Sequence, residues 1–177
     1  MAGEATARRP LVIGYGNTLR RDDGIGWQVA ARLADDPRAR GIDVVAAHQL
    51  TPELAYDLSG ASHVILIDAK VAEDHVPAPL ADVAPALRPG RCEVVRLDTT
   101  RSAGGAASHH CTPQALATLA ELLYGAVPPV TLVGVGVGSV DEGETLTEAV
   151  ADRIPAILDL VIALANGDPP DEGRRHA

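Results

Sequence analysis

Apolar residues fall in two alternating rhythms along the chain. Short runs rich in Val, Ile and Leu occur at 11–13, 42–47, 63–69, 92–98 and 130–137. Between them, apolar positions recur every three or four residues. Ile25, Val29 and Leu33 form one such stripe, Leu116, Leu119 and Leu123 a second, and Leu146, Val150, Ile154, Ile157, Leu158 and Val161 a third. The first rhythm predicts strands and the second amphipathic helices. The run at 63–69 is apolar on both faces, which predicts a central strand of a covered sheet. Gly14, Gly16 and Asn17 break the first strand, and Asp35-Asp36-Pro37 ends the first helix. Thr51-Pro52-Glu53 and Thr112-Pro113 read as helix starts, with threonine as cap and proline at the first helical position. The helix opened at Thr51 is expected to stop at Ser59-Gly60. Thr145-Leu-Thr-Glu148 matches a capping box, and Pro155 inside the last stripe predicts a kink or a break into two helices. Strands alternating with helices predict an α/β three-layer sandwich: about five strands in a mostly parallel twisted sheet, with helices on both faces. A single domain is expected over 10–165, flanked by disordered tails at 1–9 and 166–177.

The 177 residues are enough for one domain with a proper core, and an apolar fraction of 46% is ordinary for a globular protein. There is no Phe and only one Trp, so the core must be built from Val, Leu, Ile and Ala. A net charge of −9 with a single lysine, Lys70, leaves no basic face, which argues against nucleic acid and anionic membrane as partners. No apolar run approaches the ~18 residues of a membrane span. Residues 1–10 are polar and lack the apolar segment of a secretory signal, so a cytoplasmic location is expected. Cys92 and Cys111 lie at opposite ends of one predicted strand region. Its residues would separate them by roughly 17–20 Å, far beyond the ~7 Å that a disulfide spans between Cα atoms, so two free thiols are expected.

Candidate chemistry begins at the first loop. Asp22 and Asp23 sit where a helix starts, a place that favours negative charge, and helix capping is the expected role of at least one of them. Two adjacent acids between Arg20-Arg21 and Gly24 exceed what capping needs. Asp68 closes the third strand, and His109 and His110 come after the fourth in a long Gly-rich loop, the kind of segment that is usually functional. Taken singly, Asp68 fits a structural acid equally well, and either histidine fits a surface residue. In parallel sheets, however, ligands bind beyond the carboxyl ends of the strands, where all of these would meet. Two carboxylates and an imidazole suit a divalent transition metal such as nickel or zinc. A dinucleotide fingerprint fails, because its third glycine would be at position 19, which is Leu19, and His48 and Gln49 stand where the acid after the second strand should be. No Gly-x-Ser-x-Gly elbow is present, Asp98-Thr99-Thr100 lacks the glycine of pepsin-like proteases, and neither cysteine has a partner-and-orienter arrangement. Spacing alone thus reaches a metal-binding α/β domain acting on something in the crevice.

Four blocks carry a resemblance beyond this. Gly14-Tyr-Gly-Asn-Thr-Leu-Arg-Arg-Asp-Asp-Gly-Ile-Gly26 resembles the opening motif of the maturation endopeptidases of nickel–iron hydrogenases. His48-Gln-Leu-Thr-Pro-Glu-Leu54, Val64-Ile-Leu-Ile-Asp-Ala69 and Ser108-His-His-Cys-Thr-Pro113 resemble that family's later blocks, in order, between about residues 11 and 165. The resemblance implies removal of a short C-terminal extension from the hydrogenase large-subunit precursor after nickel insertion, with no separate nucleophile. The nickel comes with the substrate as recognition element, and another divalent cation would stand in for it in a crystal. The family's ligands carry across by position to Asp23, Asp68 and His109, with His110 competing for the histidine's place. Many relatives have Glu where Asp23 stands, one methylene longer. The Gly-rich stretch 102–107 would form a flap. The alternatives from other classes are a nickel chaperone or scaffold that checks the precursor without cutting it and, on weaker grounds, a nucleotide-binding domain.

Overall fold

The computed structural model describes residues 8–70, 87–99 and 111–167. Five β-branched-rich segments become strands: β1 (Leu11–Tyr15), β2 (Asp43–Ala47), β3 (Val64–Lys70), β4 (Cys92–Arg96) and β5 (Val130–Gly136). The helices are α1 (Ile25–Ala34), α2 (Leu54–Gly60), α3 (Pro113–Tyr124), α4 (Glu148–Ala151) and α5 (Ile154–Ala165). Short 3-10 turns at Arg21–Gly24 and Pro37–Ala39 complete the elements. The sheet order is β2-β1-β3-β5-β4, with every pairing parallel except β4 against β5. Central β3 is buried along Val64, Ile65, Leu66 and Ile67, as its continuous apolar run requires.

Alternation along the strands divides the core between the two faces. Val12, Ile65, Ile67, Val133 and Val135 pack with Val29 and Leu33 of α1 and Ile157 and Val161 of α5. Leu11, Ile13, Val64 and Leu66 pack on the other face with Leu58 of α2 and Leu116 of α3. The three-layer expectation therefore holds, with branched aliphatics filling both layers. Thr112 caps α3 through its side chain, which accepts from the Ala115 amide at 3.1 Å, and Pro113 opens the helix. The last apolar stripe breaks in two, as Pro155 foretells: α4 ends at Ala151 and α5 begins at Ile154. Among the described residues, no helix is long and apolar enough to cross a membrane.

Two local expectations are corrected, and the one antiparallel pairing of the mostly parallel sheet falls on β4. The capping box at Thr145–Glu148 does not form: Thr147 is the N-cap of α4, and it makes no side-chain cap bond because its hydroxyl is engaged elsewhere. Helix α2 starts at Leu54 rather than at Pro52, after a turn in which the Leu54 amide donates to the Thr51 carbonyl. The fourth strand runs antiparallel, so its last residue, Arg96, lies beside Thr131 at the amino end of β5. The two cysteines are free, but not because one strand separates them: Cys92 packs with the α1/α5 layer and Cys111 against the α2/α3 layer.

Candidate active site

Close backbone packing shapes the first loop. A Cβ on Gly14 would meet the Gly26 carbonyl oxygen at 2.0 Å, so β1 and α1 touch through bare backbone. Gly16 has φ +144, and a Cβ there would lie 1.9 Å from the Asp23 carbonyl oxygen. The glycines that suggested a nucleotide loop therefore serve strand–helix contact. Beyond Gly16, the Leu19 amide donates to Asn17 Oδ1 at 3.0 Å, and the Asn17 amide donates to Asp23 Oδ2 at 3.2 Å. Asp23 thus closes its own loop.

A second segment braces this loop. The Arg21 amide donates to the Gly143 carbonyl at 2.7 Å, and the Gly143 amide donates to the Leu19 carbonyl at 2.9 Å. Arg20 Nε donates to the Val140 carbonyl at 3.1 Å, while Arg21 holds the left-handed conformation, at φ 44. Asp22 is fully buried. Its Oδ1 accepts from the Thr147 amide at 2.6 Å, and its Oδ2 from the amides of Gly138 (2.9 Å) and Ser139 (3.1 Å) and from the Thr147 hydroxyl (2.8 Å). Four donors satisfy one buried carboxylate, the condition for keeping a charge inside. The expectation that Asp22 or Asp23 caps a helix is overturned: neither the turn at Arg21–Gly24 nor α1 has a side-chain cap. Asp22 cross-links two distant loops instead, and Asp23, half-buried, holds the Asn17 amide.

Asp68 comes from the carboxyl end of β3, opposite Gly134 of β5. The Tyr15 hydroxyl donates to Asp68 Oδ2 at 2.8 Å. Burial pushes the Asp68 carboxyl above the ordinary aspartate range, the Tyr15 and Ala69 hydrogen bonds pull it down, and the charge of Asp23 pushes it up further. Tyr15 is driven far above an ordinary phenol by burial first and by the Asp68 charge second, so it stays a donor.

Asp23 and Asp68 both line one cavity of about 570 Å³ at the carboxyl edge, together with Tyr15, Arg20, His48 and Cys111. His48 stacks on Trp27, with ring centroids 6.4 Å apart and planes 12° from parallel. Asp68 also borders a second cavity of about 310 Å³, walled by Ala69, Val95 and Leu132 and by the Lys70–Glu93 ion pair. His109, His110 and the 102–107 stretch lie outside the described residues. Among the described residues no group of three His, Cys, Asp or Glu is placed to hold a metal ion. Of the three residues expected as ligands, Asp23 and Asp68 line this one cavity, as does Cys111. The sequence reading missed Tyr15 and His48 as site residues. The signal for Tyr15 lay in the pairing of the first and third strands, since neighbours in register place their terminal residues side by side. His48 stood in the sequence where an acid was sought and at the start of the second block, with no role assigned to its side chain.

The sequence matches no family model and no curated protein. Solved structures do match. The hydrogenase 2 maturation peptidase from Thaumarchaeota archaeon SCGC_AB-539-E09 is 26% identical, with 92% of this chain and 100% of that one covered and a TM-score of 0.61. The hydrogenase maturating endopeptidase HybD from E. coli superposes with a TM-score of 0.66 at 24% identity, over 89% of this chain and 92% of that one. The NiFe hydrogenase maturation protease HycI from Thermococcus kodakarensis KOD1 gives 0.63 at 19% identity, over 90% and 93%. In fold, and in the order of its sequence blocks, the chain resembles the hydrogenase maturation endopeptidases.

Proposed function

We propose that this chain is an endopeptidase that removes the C-terminal extension of a nickel–iron hydrogenase large-subunit precursor, with the nickel carried by that substrate held between Asp23, Asp68 and His109. The observation that carries the reading is the convergence of Asp23, from the first loop, and Asp68, from the carboxyl end of β3, on one open cavity, 45 positions apart in sequence (23 and 68). The resemblance to maturation peptidases in fold and in sequence blocks supports it. Two carboxylates facing one cavity repel each other, and Asp68 is in addition partly desolvated. A divalent cation relieves both penalties, so a nickel-loaded precursor is favoured over an empty one. Three protein ligands leave coordination positions open, which lets the substrate keep its own hold on the metal while the scissile bond lies beside it.

The test is to incubate the protein with nickel-loaded precursor and weigh the product. The expected result is loss of the extension mass with wild type, and an intact precursor with Asp68→Asn at an unchanged far-UV spectrum. An unshortened precursor with wild-type protein would sink the reading. Bound but uncut precursor would replace it with the non-cleaving chaperone. A thermal shift with nucleotides but not with nickel would point to the nucleotide-binding alternative.

A further inference from the structure

Tyr15 ends β1, and Asp68 lies near the end of β3. The two strands are neighbours in register, with Gly14 beside Ile67, so Tyr15 and Asp68 stand next to each other one step further along. The tyrosine ring belongs to the core layer that includes Leu11, Ile13 and Leu66, and only 9% of the residue is exposed. Its hydroxyl emerges from that layer at the floor of the cavity, 2.8 Å from Asp68 Oδ2. A ring anchored in packed aliphatics cannot follow the carboxylate, so the oxygen it holds is fixed in place.

We infer that Tyr15 is a positioning residue that engages Asp68 Oδ2 and so presents Asp68 to the substrate's metal through Oδ1 alone. The inference rests on the proposed function and deepens it by assigning the ligating atom. An unrestrained carboxylate can chelate a cation with both oxygens. A phenol with one proton to donate spends it on one of the two acceptor sites of Oδ2, so a chelating cation would have to share that oxygen with the phenol hydrogen, and ligation through Oδ1 avoids the crowding. Single-oxygen ligation keeps one more coordination position free for the substrate. Groups that orient a ligating carboxylate or imidazole typically matter 10–100-fold in metal affinity or activity.

The primary test needs only the wild-type protein, with Cd²⁺ as the probe in a soaked crystal. The expected density shows Asp68 bound through one oxygen with the phenol still on the other; two-oxygen chelation with a displaced phenol overturns the inference. In solution, Tyr15→Phe removes the hydroxyl and keeps the ring. That variant is expected to bind Cd²⁺ about tenfold or more weakly and to gain a cadmium–oxygen contact by X-ray absorption. Its KM for nickel-loaded precursor should also rise more than its kcat falls. Wild-type affinity and oxygen count in the Phe variant would reject the positioning role. If wild type cuts the precursor yet Asp68 chelates, the inference falls and the proposed function stands. If wild type neither binds Cd²⁺ nor cuts, both fall together.

Discussion

Burial makes the ionised Asp68 carboxylate unfavourable, and the hydrogen bonds from Tyr15 and Ala69 offset this only in part. That imbalance sets the sign of the effect on stability. With the folded-state carboxyl raised above its ordinary 3.8, the folded protein binds the Asp68 proton more tightly than the unfolded chain. The penalty is absent below the unfolded value and fully present once pH exceeds the folded one. Asp68→Asn, which keeps an acceptor for Tyr15, should therefore raise the thermal midpoint of the metal-free protein at pH 7. The gain should shrink as pH falls into the ordinary aspartate range, as scanning calorimetry at several pH values would show. A lower midpoint at pH 7 would mean that the charged hydrogen bond outweighs desolvation. The position of Asp68 was legible because a wholly apolar run ending in an acid has few readings in a covered sheet. The tie to Tyr15 was not legible, since it depends on which strands are neighbours, and no local pattern records that.

Elements here are seated by backbone contact as much as by side chains. At Gly14 any Cβ runs into the backbone of α1, whereas at Gly41, with φ +88, nothing lies within 4 Å and only the backbone conformation resists substitution. Gly14→Ala should therefore destabilise by about 3 kcal/mol or more, and Gly41→Ala by about 1 kcal/mol. Urea titration of the two variants would check the contrast, and equal losses would contradict it. The helix periods, the proline break and the Thr112 cap were readable because each depends on residues within a turn of one another. The capping box failed for the opposite reason: Asp22, more than a hundred positions away, holds both the Thr147 amide and its hydroxyl, and α4 starts at Glu148 with Thr147 rather than Thr145 as its N-cap. The direction of β4 was equally unreadable. A strand carries no mark of its own polarity, and the length of the preceding connection is a weak guide.

The three inner strands contribute to both core layers: Val12 and Ile13 of β1, Ile65 and Leu66 of β3, Val133 and Val130 of β5 each face opposite sides. Neither layer can melt without disturbing the sheet that the other needs. Unfolding should accordingly be a single transition. The molecule has one tryptophan, Trp27, on α1 and stacked on His48, so its fluorescence reports on the site side of one layer. The urea curve read by Trp27 emission should overlay that read by far-UV circular dichroism. Separate midpoints would show that the loop region melts ahead of the sheet. The order of strands and helices was legible from alternation, and the choice of one edge for the site from the acids placed at strand ends.

The Asp22 carboxylate ties residues 138, 139 and 147 to the loop that carries Asp23. These two stretches are bound to diverge in concert. A change of length in either strands four donors with no acceptor, or an anion with no donors, in a place that water cannot reach. Transplanting the first loop from a distant relative would succeed only if its counterpart came with it. The unit of inheritance at this edge of the molecule is thus a pair of loops rather than a single motif.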